Sequence, residues 1–318
     1  MMKLVLWAVL VFLIVMFSAG AFFFRFAITR NGAPLPGKKS PSSVDLRPWE
    51  KYRTMHSKQY DWLKSQPKKL LSISSKDGLK LSARYFECES PERVLICVHG
   101  YRGQPEHDFA AVSGWLHDHH CNLLLIDQRA SGRSEGKYVT FGAKEKTDIC
   151  AWSEYLDSIH SGVLPIYLYG ISMGASTVLM AADQKLPASV KGMIADCGFT
   201  SIGDIFEVRV KESFHLPPYP LMYFMRFFCF LIAGFRFRDA DARSALAKAS
   251  VPVLFLHGLE DHFVPPENSV RNYQACRSEK KIVLIPGAVH ASSSSENPEL
   301  YQNSLAEFFS FHEEGRNQ

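Results

Sequence analysis

The chain has 318 residues, 47% of them hydrophobic, with 36 Lys and Arg against 32 Asp and Glu for a net charge of +4. So small an excess of positive charge gives no field of the kind a nucleic-acid binder needs, and a chain this apolar can bury a core, which excludes an intrinsically disordered class. Twenty Gly and 17 Pro exclude collagen-like and low-complexity classes, and no fixed-period repeat points to a solenoid or propeller.

Residues 4–24 carry no charge. A helix over these 21 residues rises about 1.5 Å per residue and reaches across the roughly 30 Å of a hydrocarbon core. Residues 1–30 therefore read as an N-terminal membrane anchor with a single span at 4–24. A cleavable signal peptide is the rival, with Ala19-Gly20-Ala21 as its small-residue site, but the apolar run continues past that site to Phe26. Lys3 precedes the span, and Arg25, Arg30, Lys38 and Lys39 follow it. The positive-inside rule then puts the large domain in the cytoplasm. Signal anchors with exported domains leave the side open. Residues 31–64, rich in Pro, Ser and Gly up to about 50, read as a juxtamembrane linker.

Residues 65–318 alternate short apolar runs with helical patterns. Residues 70–74 and 79–86 flank Lys76-Asp77-Gly78, a hairpin signal. Near-continuous apolar runs follow at 93–99, 122–127, 166–169, 190–195, 251–256 and 281–285, as expected of strands buried on both faces. Helical segments lie between and after them, at 108–119, 143–159, 175–184, 267–276 and 298–312. The pattern predicts an α/β fold: a mostly parallel sheet with helices on both faces. Residues 199–249 break the rhythm and read as an inserted helical cap. Within it, 221–235 is rich in Phe but contains Arg226 and is too short to span. That segment is expected to close over a pocket, to dip into the bilayer interface, or both.

Seven cysteines, an odd number with no CxxC pair, sit mostly in apolar runs and read as buried thiols. The patch His117-Asp118-His119-His120 is a poor metal site, because adjacent residues on a helix point in different directions.

Chemistry-bearing residues follow the predicted strands, where ligand sites of such sheets lie. Gly170-Ile171-Ser172-Met173-Gly174 is G-x-S-x-G between a strand and a helix, the setting in which a serine stands clear of the backbone on a sharp turn. Asp261 follows the run 251–256 in Gly258-Leu-Glu-Asp261-His-Phe-Val-Pro265, with Glu260 and Asp196 as rival acids. His262 beside it reads as a loop or cap contact. His290 follows the run 281–285. Val98-His99-Gly100-Tyr101-Arg102-Gly103 follows the first central strand, where the backbone N–H groups of Tyr101 and Met173 are candidate oxyanion donors.

In the order of Ser172, Asp261 and His290, and in the His99-Gly100 loop, the chain resembles the alpha/beta-hydrolase superfamily over residues 70–312. The loop Asp127-Gln-Arg-Ala-Ser-Gly-Arg-Ser-Glu-Gly136 is also similar to that family's D-x-R-x-x-G-x-S-x-G. Within the superfamily the chain looks most like the membrane-anchored, lysophospholipase- or serine-peptidase-like branch of bacterial hydrolases. The resemblance implies a serine hydrolase with no metal or organic cofactor, in which Ser172 is the nucleophile, His290 the base and Asp261 the acid that orients it. A dehalogenase or epoxide hydrolase would have Asp in place of Ser172. Arg129 and Arg133 either grip an anionic substrate or pair within their own loop.

The apolar cap and the anchor point to a small-molecule substrate with an acyl chain and to the lipid bilayer as partner, with no nucleic acid and no obligate protein partner evident. Phe227 and Phe228 are the cap residues expected to bind the substrate. Cleavage of a carboxylic ester is the leading activity. A peptidase or acyltransferase on the same triad, or a non-catalytic binding module that kept the fold, are the alternatives.

Overall fold

In the computed structural model, which describes residues 1–32 and 47–313, eight strands form one sheet. They are β1 (Lys69–Ser74), β2 (Lys80–Phe86), β3 (Arg93–Val98), β4 (Cys121–Asp127), β5 (Ile166–Ile171), β6 (Val190–Asp196), β7 (Val253–Gly258) and β8 (Lys280–Ile285). Their spatial order is β1-β2-β4-β3-β5-β6-β7-β8. The pairs β1/β2 and β2/β4 are antiparallel, and every later pair is parallel. This is the α/β architecture that the apolar runs imply.

Every residue of β3, β4, β5 and β7 is buried, whereas edge strand β1 keeps alternate residues exposed. Alternation sorts the side chains of each central strand onto two faces. Val94, Ile96 and Val98 of β3 join one core with Trp152 of helix Glu145–Ile159 and Val178 of helix Met173–Met180. Leu95 and Cys97 join the other with Leu116 of helix Ala110–Asp118 and Tyr301 of helix Pro298–Glu313. All seven cysteines are free thiols.

Of the stretch read as a linker, residues 33–46 lie outside the described residues. The rest is structured. A 3₁₀ turn Arg47–Tyr52 leads into helix Arg53–Ser65, which buries Leu63 in the second core and sets Trp62 against Gly114. This helix is mostly polar, and its narrow apolar side gave too weak a periodic signal to set it apart from a linker.

The N-terminal helix Met2–Ile28 is long and apolar enough to cross a membrane. Residues 1–15 are exposed, but Gly20, Phe23, Phe24 and Ile28 are buried against the domain. The last four carbonyls of a helix have no partner within it. Here all four are met: Arg25 O by Thr29 Oγ1, Phe26 O by Arg102 Nη2, Ala27 O by Tyr101 Oη and Ile28 O by Val139 N, at 2.7–2.9 Å. Arg102 also places positive charge at the negative end of the helix dipole. The chain then bridges Thr29 to Tyr138, and the Arg30 guanidinium donates to the carbonyls of Gly132 and Ser134.

Between β6 and β7 lie helix Ile202–Phe214, begun by the Ser201 side chain accepting from Asp204 N, and helix Leu221–Phe228, which runs into a wider turn Cys229–Ala233. The second packs along the N-terminal helix. A Cβ on Gly20 would collide with the Cβ of Phe224, so glycine permits this approach. The short helix Ala242–Leu246 lies back on the sheet side, with Ala245 and Leu246 buried.

Candidate active site

Strand β5 delivers Ser172 at a backbone φ of 56° and ψ of −117°, a conformation that costs free energy and is characteristic of a nucleophile on a tight strand-to-helix turn. Gly170 and Gly174 make the turn possible. A side chain on Gly170 would meet the backbone of Gly174, and one on Gly174 would meet the Val98 carbonyl.

The turns after β7 and β8 bring Asp261 and His290 to the same place. Ser172 Oγ lies 2.8 Å from His290 Nε2, and His290 Nδ1 lies 2.7 Å from Asp261 Oδ2. With Nδ1 protonated toward the carboxylate, Nε2 is left to accept the serine proton. Asp261 is 1% exposed, and its other oxygen accepts from the backbone N–H groups of Phe263 and Val264 at 2.9 and 2.8 Å. Burial alone would favour the protonated acid. The neighbouring His290 and His257 outweigh it and hold the carboxyl well below the usual range.

His257, at the end of β7, is a residue the sequence reading passed over. Its Nε2 lies 2.8 Å from Val264 O and 3.2 Å from Asp261 Oδ2, and its Nδ1 lies 2.6 Å from Ser269 Oγ. Two acceptors at Nε2 assign the proton there, with the Ser269 hydroxyl donating to Nδ1. A polar residue closing an otherwise apolar strand was the available signal.

The rival acids are elsewhere. Glu260 is exposed. Asp196 accepts Ser172 N at its backbone carbonyl, while its carboxylate receives Tyr301 Oη at 3.0 Å and Ser293 Oγ at 3.2 Å, away from His290 Nδ1. Burial pushes the Asp196 carboxyl up to about 6 despite the Tyr301 hydrogen bond. Cys197 Sγ lies near Asp261 and His290, and burial raises its thiol well above the ordinary value. Arg129 is buried and forked onto Asp148 and Asp77, which makes it a brace of its loop. Arg129 draws Asp77 down to about 2.

Ser172 opens on a cavity of about 300 Å³. Tyr101 and Met173 line it, and among the described residues their backbone N–H groups make no hydrogen bond, as oxyanion donors require. The remaining wall is largely apolar. Phe199, Phe206, Val210, Phe214 and Met225 come from the cap side, and Phe141 and Phe263 from loops. Phe23, Phe26 and Ala27 come from the N-terminal helix. Arg209 adds a cation, its guanidinium 4.6 Å from the Phe263 ring centre.

Phe227 and Phe228 do not line this cavity, which corrects the expectation for them. Successive helix residues point about 100° apart. Met225 faces the cavity, Phe228 is buried against Phe17 and Phe24 of the N-terminal helix, and Phe227 is half exposed on the far side. The N-terminal residues that take their place, Phe23, Phe26 and Ala27, were read only as part of the membrane anchor. Gly20 within the apolar run was the one hint that another helix approaches there.

A serine aminopeptidase (S33) family model matches residues 89–215, and a serine hydrolase (FSH1) model matches 170–291. The chain is 30% identical over 222 residues to YqkD, an uncharacterised Bacillus subtilis protein, covering 69% of this chain and 72% of that one. It is 25% identical to the yeast uncharacterised membrane protein YNL320W, over 70% of this chain and 74% of that one. It is 23% identical to the Arabidopsis thaliana alpha/beta hydrolase domain-containing protein WAV2, over 74% and 76%. Among solved structures, the Pyrococcus furiosus esterase Pf2001 superposes with a TM-score of 0.65 at 24% identity, covering 79% of this chain and 93% of that one. By sequence relationship and by fold, the chain belongs to the alpha/beta-hydrolase superfamily.

Proposed function

We propose that the protein is a membrane-anchored serine hydrolase that cleaves carboxylic esters of apolar acyl chains. The observation that carries this is the hydrogen-bonded series Ser172–His290–Asp261 opening on an apolar cavity. Ser172 Oγ bonds to the ester carbonyl carbon as His290 Nε2 takes the serine proton. The oxyanion is received by the N–H groups of Tyr101 and Met173. The alcohol leaves with the proton from His290, and water, deprotonated by His290, then releases the acid. Asp261 keeps the imidazole oriented and stabilises its charged form. The helix Met2–Ile28 is the anchor, and the burial of its last turns in the domain favours retention over cleavage.

The match to a serine aminopeptidase model favours a second reading, peptide-bond cleavage on the same triad. The wall argues against it. An α-ammonium group needs a free carboxylate. Among the described residues Asp108 is the one acid lining the cavity, and it already accepts Gly100 N at 2.8 Å. A fluorophosphonate probe should label the full chain and spare Ser172→Ala. p-Nitrophenyl esters should turn over and aminoacyl p-nitroanilides should not. A chain that ignores the probe is a binding module, and one that prefers anilides is a peptidase.

A further inference from the structure

The cap carries a second apolar surface, facing away from the cavity. Phe230 is 54% exposed and Leu231 63%, and Tyr223, Phe227 and Ile232 are exposed beside them. Five large apolar side chains on one short segment form a patch that needs a partner.

The position of the segment supplies one. Helix Leu221–Phe228 lies along the N-terminal helix, with Phe228 4.9 Å from Phe17 between ring centres and Phe224 6.4 Å from Phe17. Arg25 is the first charge after the apolar run. Phe17 lies eight residues before it, which is about 12 Å along the helix axis and less if the helix tilts. Membrane-surface helices bury about 5–10 Å. A cap helix in contact with Phe17 therefore sits at acyl-chain depth wherever the N-terminal helix spans.

Charge fits the same placement. Arg226, Arg236 and Arg238 share a hollow with Tyr223, Phe227 and Phe230, and Arg236 lies 5.1 Å from the Phe230 ring centre. Asp204 and Asp241 in that hollow are paired with Arg243, and Glu207 accepts from Tyr219 Oη. The other three arginines are placed to meet lipid phosphates while their apolar neighbours enter the chains.

We infer that the exposed face of Leu221–Ala233 is inserted in the same leaflet as the C-terminal half of the anchor, so that the lipid bilayer is its partner. This rests on the reading of Met2–Ile28 as a span. Because the same cap helix presents Met225 to the Ser172 cavity, the substrate class narrows to amphiphilic acyl esters that reside in that leaflet.

The test uses the full chain in nanodiscs of phosphatidylcholine and phosphatidylglycerol, with a phospholipid bearing a diazirine at the end of its acyl chain. After photolysis, peptides covering 221–233 should carry label comparable to those covering 4–24. Both should exceed the peptide holding Leu70, an exposed apolar residue of the edge strand, by about tenfold. Label in 221–233 no higher than at Leu70, with 4–24 labelled, overturns the inference. An unlabelled 4–24 removes the anchor reading and the inference with it. Ser172→Ala should label like wild type, so failure of the hydrolase reading leaves this readout untouched. The pair Leu231→Glu with Ile232→Glu should raise KM about tenfold for an acyl ester dissolved in the bilayer and leave a water-soluble acetyl ester unaffected. Equal effects on both esters, or none on either, count against insertion.

Discussion

The floor of the cavity and its outer wall are held by different forces. On the floor, Ser172, Asp261 and His290 follow β5, β7 and β8, parallel strands of one sheet, and are joined by hydrogen bonds of 2.7–2.8 Å. In the wall, Phe23 and Phe26 meet Phe214 at 4.7 and 6.1 Å between ring centres, and behind it Phe17 and Phe24 meet Phe228 at 4.9 and 6.0 Å. Hydrogen bonds are directional and fail over a few tenths of an ångström, while apolar contact adapts to what fills it. On the proposed function, the floor governs whether a bond is broken, and the wall governs whose.

The largest effects belong to the floor. Ser172→Ala or His290→Ala should lower kcat by roughly 10³ or more with the fold intact. Asp261→Asn should be comparably severe, because the imidazole loses the partner that fixes its tautomer. Asp196→Asn should keep near-wild-type turnover, since its carboxylate faces Tyr301 and Ser293. If Asp196→Asn abolishes turnover and Asp261→Asn spares it, the acid has been misassigned.

The contrast also explains what the sequence made legible. Ser172, Asp261 and His290 each follow an apolar strand, and the close approach of backbone at Gly170 and Gly174 constrains the turn that holds Ser172, so glycines and chain order mark the candidate site in the sequence. The wall has no such constraint. Any large apolar residue serves there, and Phe23 and Phe26 look the same in sequence whether they face lipid or substrate. Phe227 and Phe228 were chosen for composition, and composition does not say which side of a helix faces in. Helix Arg53–Ser65 escaped for a related reason, because its apolar docking residues Leu63 and Trp62 sit among polar neighbours such as His56 and Gln59, which dock by hydrogen bonds to the His107 and Ala111 carbonyls.

The wall's link to the fold makes the next prediction. Removing residues 1–30 should take Phe23, Phe24 and Ile28 from the core. At about 1.5–3 kcal/mol for each fully buried side chain, and allowing for a compact unfolded state, the loss is about 4–6 kcal/mol. Thermal unfolding should fall by roughly 10–20 °C. A chain beginning at residue 17 keeps those contacts and should melt near the full-length value. Equal melting of all three forms would show that the N-terminal helix is not part of the domain's core.

Beneath the floor, Asp196 should weaken the fold in a pH-dependent way. Its carboxyl is raised to about 6 by burial, above the 3.8 of a free aspartate. The folded state holds the proton that the unfolded chain has released, so the cost is absent below about pH 4, grows between 4 and 6, and is constant above. At pH 7 it amounts to about 2–3 kcal/mol. Asp196→Asn should relieve it, so the variant's stability relative to wild type should rise by that amount between pH 4 and pH 7 in denaturant titrations. A difference that stays flat across this range would mean that Asp196 does not titrate there.

The smallest effects should come from single side chains of the wall, and these separate the cavity face of the cap from its outer face. Each buried methylene of a substrate is worth at most about 0.8 kcal/mol, or roughly fourfold in kcat/KM. Across acetyl to decanoyl esters, wild type should climb until the cavity is full and then level off. Phe26→Ala removes a ring from the wall, and should move that plateau to chains longer by about two carbons. Phe227→Ser alters a half-exposed ring outside the cavity, and should leave the shape of the profile as it is. The comparison is of ratios between chain lengths, measured with the full chain in detergent micelles, so any change in membrane affinity cancels. A profile reshaped by Phe227→Ser and indifferent to Phe26→Ala would put the acyl chain on the other side of the cap helix, and the N-terminal helix would then be an anchor with no part in choosing the substrate.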